Sequence, residues 1–297
     1  MRKKVEVDTH MHSHYSDGSD SPADVARAAA AAGLKVACLT DHDSCAGTDE
    51  YIQTATELGV FSVPAVECSA IAFDAEVHIL GYNVNHRSPE FIDGLKSITA
   101  MRDLRAQRML NKVAKILGYP NPDIEEARAL TESCGPYVGT WQVRQFFVIK
   151  YGVPMETVAS LTKRTGAGFE PYDNSVLRSP VELVRFIRAH GGKAVFAHIG
   201  EFWRRLVKVL GEVDARVELI SLIESLVGVG LTGLEDKCYK HNELEEAMAH
   251  QLAVKYGLYC FGGSDNHGKF TPEKKMGLPD KNPIMTKARF IQFLSDD

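Results

Sequence analysis

Hydrophobic and polar positions follow two different rhythms along this chain. In the first third, short apolar runs predict strands over residues 5–8, 36–40, 61–66 and 77–82. Helix patterns with their own start and stop signals lie between them. Ser21 suits an N-cap, Pro22 the first helical position, and an Ala-rich run then ends at Gly33. A second helix over 48–58 stops at Gly59. The alternation predicts parallel β/α units. After His86 the strand signals vanish. Helices are predicted over 88–117, 123–133, 139–151 and 154–161, separated by the breakers GYPNP, CGP and YGVP. The α/β rhythm then resumes, with a helix over 180–190, a strand over 193–198 and a helix over 201–210. A strand ends at 233–235, a helix covers 242–256, and a last strand covers 259–263. The chain therefore divides into an α/β part over 1–87, an all-helical insertion over 88–172 and a second α/β part over 173–297.

Composition narrows the class. Of 297 residues, 44% are hydrophobic and 25% charged, ordinary proportions for a folded chain of one large or two average domains. With 34 basic and 39 acidic residues the net charge is -5, which excludes a generally basic nucleic-acid coat but not a local basic pocket. No apolar run reaches the roughly 18 residues of a membrane helix. No apolar segment follows the basic start MRKK, so neither a membrane partner nor a secretory signal is expected. The six Cys lack CxxC spacing and several sit in apolar runs, as reduced thiols in a cytoplasm would.

The 11 His change the picture, because three fall within five residues, at His10, His12 and His14, and others end apolar runs. Strand neighbours two apart share a face, so His10 and His12 suit a two-point grip on a metal, with Asp17 beside them in the turn at Gly18. Thr40-Asp41-His42-Asp43 follows a buried strand, where parallel-sheet proteins place active-site loops. Glu67 ends an apolar run and needs a partner or a cation. His78 in VHILGY, His198 after KAVFA and Asp265-Asn266-His267 after LYCFGGS complete the set. Singly, each fits a bland alternative: a His-rich surface turn, a helix-capping loop, a satisfied structural His. Together, six segments carry ligand-type side chains near strand ends, which converge on one face in a parallel barrel. A multinuclear metal centre accounts for all six at once.

The segments DTHMHSHYSDG, LTDHD, VE, VHILGY, FAHIG and GGSDNH, in this order, resemble the PHP (polymerase and histidinol phosphatase) family. The resemblance is greatest to its stand-alone metal-dependent phosphoesterases with a helical insertion, which include AMP and nucleoside 3',5'-bisphosphate phosphatases. It implies a distorted (β/α)7 barrel holding two to three divalent ions. By motif position, His10, His12, Glu67 and Asp265 would hold one metal. Glu67 would bridge to a second on His78 and His198, and Asp17, His42 and His267 would hold a third. Mixed imidazole and carboxylate shells suit Mn, Fe or Zn. The implied reaction is in-line attack on phosphorus by a hydroxide bridging the metals, with Glu67 central and Asp41 and Asp43 orienting the His ligands. One departure from the family is Ile199, where Pro commonly follows the fifth-motif His.

The first insertion helix adds candidate substrate contacts. At about 100° per residue, Met109, Val113 and Ile116 share a stripe with Ile98, and Arg102 and Arg105 fall inside it. Arg108 lies on its flank. Inward arginines need an anionic ligand or carboxylate partners, so they read either as a phosphate clamp or as ion-pair partners of the α/β part. Arg144, Lys163 and His241 are weaker candidates of the same kind, and Trp141 is expected in the insertion core. The leading reading is a phosphatase of a small phosphorylated metabolite, foremost a nucleotide. Alternatives are a histidinol-phosphate phosphatase, a 5'-3' exonuclease on short RNA, and a metal-dependent nucleotide sensor. No stable nucleic-acid complex is expected at this charge.

Overall fold

The computed structural model describes residues 6–73, 75–131, 135, 137–171, 178–278 and 285–296. The α/β part opens with β1 (Val7–Met11), α1 (Pro22–Ala31), β2 (Val36–Leu39) and α2 (Thr48–Glu57), followed by β3 (Ala65–Ala72) and β4 (Ala75–Tyr82). Four helices come next: α3 (Pro89–Leu117), α4 (Ile124–Leu130), α5 (Thr140–Tyr151) and α6 (Met155–Thr162). The chain continues through α7 (Pro180–Ala189), β5 (Lys193–Phe196), α8 (Ile199–Leu210), α9 (Glu212–Gly228) and β6 (Leu231–Cys238). It ends with α10 (Glu243–Tyr256), β7 (Tyr259–Gly263) and α11 (Lys287–Ser295).

Local signals set most of these boundaries. The Ser21 and Ser88 side chains accept from the Asp24 and Phe91 amides, each followed by Pro at the first helical position. Gly118, at φ 76°, closes α3 in the left-handed conformation. The strand expected at 61–66 instead spans Ala65–Ala72. Pro64 has no N–H to give a ladder, so regular pairing starts after it, and Phe61 keeps only an isolated bridge to Val36. The purely parallel repeat also fails here. Only a tight connection separates β3 from β4, so β4 runs antiparallel to both β3 and β5. Helix α9 has no counterpart in the sequence reading; its Val- and Ile-rich run, EVDARVELISLIESLVG, carries a weak helical pattern.

The strands form a two-stranded sheet, β1-β2, and a five-stranded sheet, β3-β4-β5-β6-β7. Isolated parallel bridges join them at both sides: His42 with Glu67, and Met11 with Asn266. Between the sheets and α11 lies one apolar cluster, including Leu80, Tyr82, Val195, Phe261, Phe290 and Phe293. A larger one packs β3–β6 against α7–α10, and the helices α3–α6 bury their own, around Met109, Leu110, Phe146 and Phe147. No described helix is long and apolar enough to cross a membrane.

Candidate metal centre

Strand geometry brings the ligand-type residues together. His10 and His12 project to one side of β1, with ring centroids 5.1 Å apart. The His42–Glu67 bridge sets β3 beside the loop after β2. In the β3-β4 ladder Glu67 pairs with Leu80 and Ser69 with His78, which makes Glu67 and His78 diagonal neighbours on one face. Glu67, expected at the end of the strand over 61–66, is instead early in β3, and His78 lies in the middle of β4. His198 follows β5, while Asp265 and His267 follow β7. Gly263 is the necessary residue at the end of β7, since a Cβ there would lie 2.3 Å from both His10 Cβ and Glu235 Oε1.

Three groups of ligand atoms result. His10, His12, Glu67 and Asp265 form the first, His12, Asp17, His42 and His267 the second, and His42, Glu67 and His78 the third. His198 joins the last through Nε2, 2.9 Å from Glu67 Oε1 and 3.2 Å from His78 Nδ1. Glu67 is fully buried, and His10, His12 and His42 each bring a ring nitrogen to 3.1–3.3 Å from its Oε2. Yet that oxygen and the nitrogens His10 Nε2, His12 Nε2 and His42 Nδ1 make no hydrogen bond. Buried donors that converge without bonding one another fit cations between them.

The electrostatics agree. Burial works against every charge, but the imidazoles of His42, His10 and His78 hold Glu67 well below the usual carboxylate range. Lys240 and His267 do the same for Asp265, and His267 and His42 for Asp17. In turn, against burial, Asp265 and Glu67 lift His12 to about 9, and Glu67 and Glu76 lift His78 to about 10. His42 is the exception: burial drives it well below the ordinary range. The cluster stores carboxylate charge that needs protons or cations to balance it.

Supporting contacts are specific. Glu235 Oε1 lies 3.0 Å from His10 Nδ1, and its Oε2 accepts from the His198 amide at 2.7 Å. Asp41 accepts from Ser13 N, Ser13 Oγ and Ser16 Oγ at 2.6–2.7 Å, so it fixes the loop under His12 without touching an imidazole. Asp43 likewise accepts from Ser69 N and Oγ. Asp43, His198 and Asp265 all hold positive φ (50°, 28° and 53°), backbone strain concentrated around the cluster. The sequence reading missed Glu76, 3.3 Å from His78 Nε2, and Lys240 and Lys274, 2.9 and 2.8 Å from Asp265 Oδ2. Glu235, at the end of the strand expected to finish at 233–235, is legible from sequence only as a possible pocket residue. The signal for Glu235 and Lys240 was their place at the end of an apolar strand and in the loop that follows.

The basic candidates are placed less uniformly. Arg102 lies beside the cluster, 2.8 Å from Glu76 Oε1, 3.4 Å from Asp43 Oδ2 and 4.0 Å above the Tyr137 ring. Arg105 turns within the helical part, donating to the Glu170 carbonyl and to Thr140. Arg108 reaches Glu170 at 3.5 Å, and Arg144 donates to Thr162. Lys163 is exposed at the end of α6. His241 is buried and accepts from the Gly200 amide at 2.9 Å, which ties α8 to the loop before α10. Trp141 is not in the core: it is 41% exposed and faces Phe270, ring centroids 6.4 Å apart. Both rings line a cavity of about 410 Å³ with Gln142, Gln145, Lys269 and the ligand-type Asp17.

The model of the PHP domain matches residues 8–123. A phosphoribosyl 1,2-cyclic phosphate 1,2-diphosphodiesterase of Eggerthella lenta is 31% identical, over 89% of this chain and 94% of its own length. A 3',5'-nucleoside bisphosphate phosphatase of Chromobacterium violaceum is 29% identical over 93% and 92%, and a 5'-3' exoribonuclease of Haemophilus influenzae 30% identical over 70% and 75%. Among solved structures, an amidohydrolase from Chromobacterium violaceum with bound sulfate superposes with a TM-score of 0.77 at 25% identity, over 97% of this chain and 95% of that one. The ordered motifs, the converging ligand groups and these full-length matches lead to one assignment: the chain belongs to the PHP family of metal-dependent phosphoesterases.

Proposed function

We propose that this hydrolase removes phosphate from a nucleotide, with the two sheets acting as one distorted barrel and residues 88–172 as a cap over its mouth. The observation that carries the nucleotide reading is the cavity beside Asp17. Trp141 and Phe270 offer ring faces for a base, and Gln142 and Gln145 bring amide groups to the same wall. The base would then sit at the cap and the phosphate at the ligand cluster.

His10, His12, Glu67 and Asp265 would hold one cation, and His12, Asp17, His42 and His267 another. Glu67 and His78, with His42 or His198, would hold a third. When bound, such ions neutralise phosphoryl oxygens and make water nucleophilic at neutral pH; Mn, Fe and Zn suit these donors. The chain's own residues prepare the site for them. Glu235 fixes the His10 ring, and the charge of Glu67 stays available because the surrounding imidazoles keep it ionised. Lys240, one third exposed and paired with Glu201 and Asp265, would meet a phosphoryl oxygen of the substrate.

A phosphate-release screen tests this reading. Its substrates are nucleoside mono- and bisphosphates, base-free ribose phosphates, histidinol phosphate and short 5'-phosphorylated oligonucleotides. A nucleotide should give the highest kcat/KM. Ribose phosphates turned over equally well would remove the base from the account, and preferred cleavage of oligonucleotides would replace it with the exonuclease reading.

A further inference from the structure

On β6 two adjacent side chains face opposite ways. Glu235 points to His10, in the catalytic cluster, while Asp236 points outward beneath α10. There it meets His250 of α10 and Cys260 of β7. Asp236 Oδ2 lies 3.0 Å from His250 Nδ1, and Cys260 Sγ lies 3.5 Å from the same nitrogen. One ligand atom from each residue falls within 4.8 Å of the others. Asp236 is 1% exposed and its Oδ1 has no hydrogen-bond partner, while the His250 side chain is half exposed and leaves the group open to solvent.

Two ordinary readings of such a trio fail on geometry. A nucleophile–base–orienter chain needs both ring nitrogens of the His, one for each neighbour; here both neighbours crowd Nδ1. A reactive thiol needs an exposed, electropositive setting; Cys260 is 5% exposed, and burial and the Asp236 carboxylate push it up to about 12. Three donors gathered about one point are the arrangement of a metal site. In a tetrahedral zinc site, bonds of about 2.0 Å to N or O and 2.3 Å to S give ligand separations of roughly 3.3–3.6 Å.

We propose that Asp236, His250 and Cys260 form a second, mononuclear cation site of the zinc type, on the outer face of β6 and separate from the catalytic cluster. Binding would form a metal–sulfur bond and release the thiol proton to solvent, with no change of oxidation state. The ion would tie α10 to β6 and β7, the strands that carry Glu235 and lead into Asp265.

Sulfur makes the site separately readable, because the catalytic groups contain only His, Asp and Glu. Chelated protein titrated with Co²⁺ should develop a near-ultraviolet thiolate-to-cobalt charge-transfer band. Cys260→Ser should lose the band, and His250→Ala, which removes a half-exposed side chain, should weaken it. In a second arm, chelated wild type should bind one more equivalent of Zn²⁺ than Cys260→Ser in the same titration. No band in wild type at saturating Co²⁺, an unchanged band in Cys260→Ser, or equal Zn²⁺ binding by the two proteins would overturn the proposal.

Discussion

Five imidazoles, those of His10, His12, His42, His78 and His198, come within 3.3 Å of the single buried carboxylate of Glu67. Glu67→Gln keeps its shape and removes the charge that opposes them. Metal content and kcat should both fall, and by more than in Asp41→Asn. Asp41 acts only through Ser13 and Ser16, and indirect partners of this kind typically cost about 10–100-fold. Steady-state rates and metal analysis of both variants decide the order; equal losses would remove Glu67 from its central role. Arg102 is set up as an ion-pair partner of Glu76 and Asp43. Arg102→Ala should lower the melting temperature, since breaking a buried pair costs about 3–5 kcal/mol, and leave KM little changed. A raised KM at unchanged stability would make it a phosphate clamp instead. Trp141→Ala should raise KM for nucleotides several-fold, base stacking being worth about 1–3 kcal/mol, without affecting base-free phosphates. The ligand-type residues were legible because HxH, TDHD and SDNH put donors where apolar runs stop. Glu76 and Lys274 were not, because their role depends on who faces them across the fold.

The elements explain which parts of the sequence pattern transferred. Helix α3 was readable almost to the residue, since Ser88-Pro89 and Gly118 mark its ends. The direction of β4 was not readable, because periodicity records which side chains share a face and not which way a strand runs. Trp141 was misplaced for a related reason: a large aromatic side chain in an apolar helix segment reads as core, yet α5 turns this one toward Phe270. The joint between β7 and β1 leaves no room for a side chain at Gly263. Gly263→Ala would force a methyl against His10 and Glu235, and overpacking of this sort costs about 1–3 kcal/mol. The variant should keep its secondary structure by circular dichroism and lose bound metal. Full metal content would show that β7 can shift without disturbing His10.

At the scale of the whole molecule, six segments of the α/β chain meet at one cluster, and the helices α3–α6 pack around an apolar centre of their own. Charge balance at the cluster couples the ions to folding. Chelation should lower the melting temperature, and adding back Mn²⁺ or Zn²⁺ should restore it, rising with the logarithm of free metal above the dissociation constant. The most direct test of the central claim, a multinuclear phosphoesterase centre, joins elemental analysis to phosphate release in one preparation purified without chelator. Counting in the Cys260→Ser variant isolates the catalytic cluster. More than one transition-metal equivalent should remain bound per chain, and nucleotide hydrolysis should disappear on chelation and return with metal. A metal-free protein that still releases phosphate at the full rate would contradict the account.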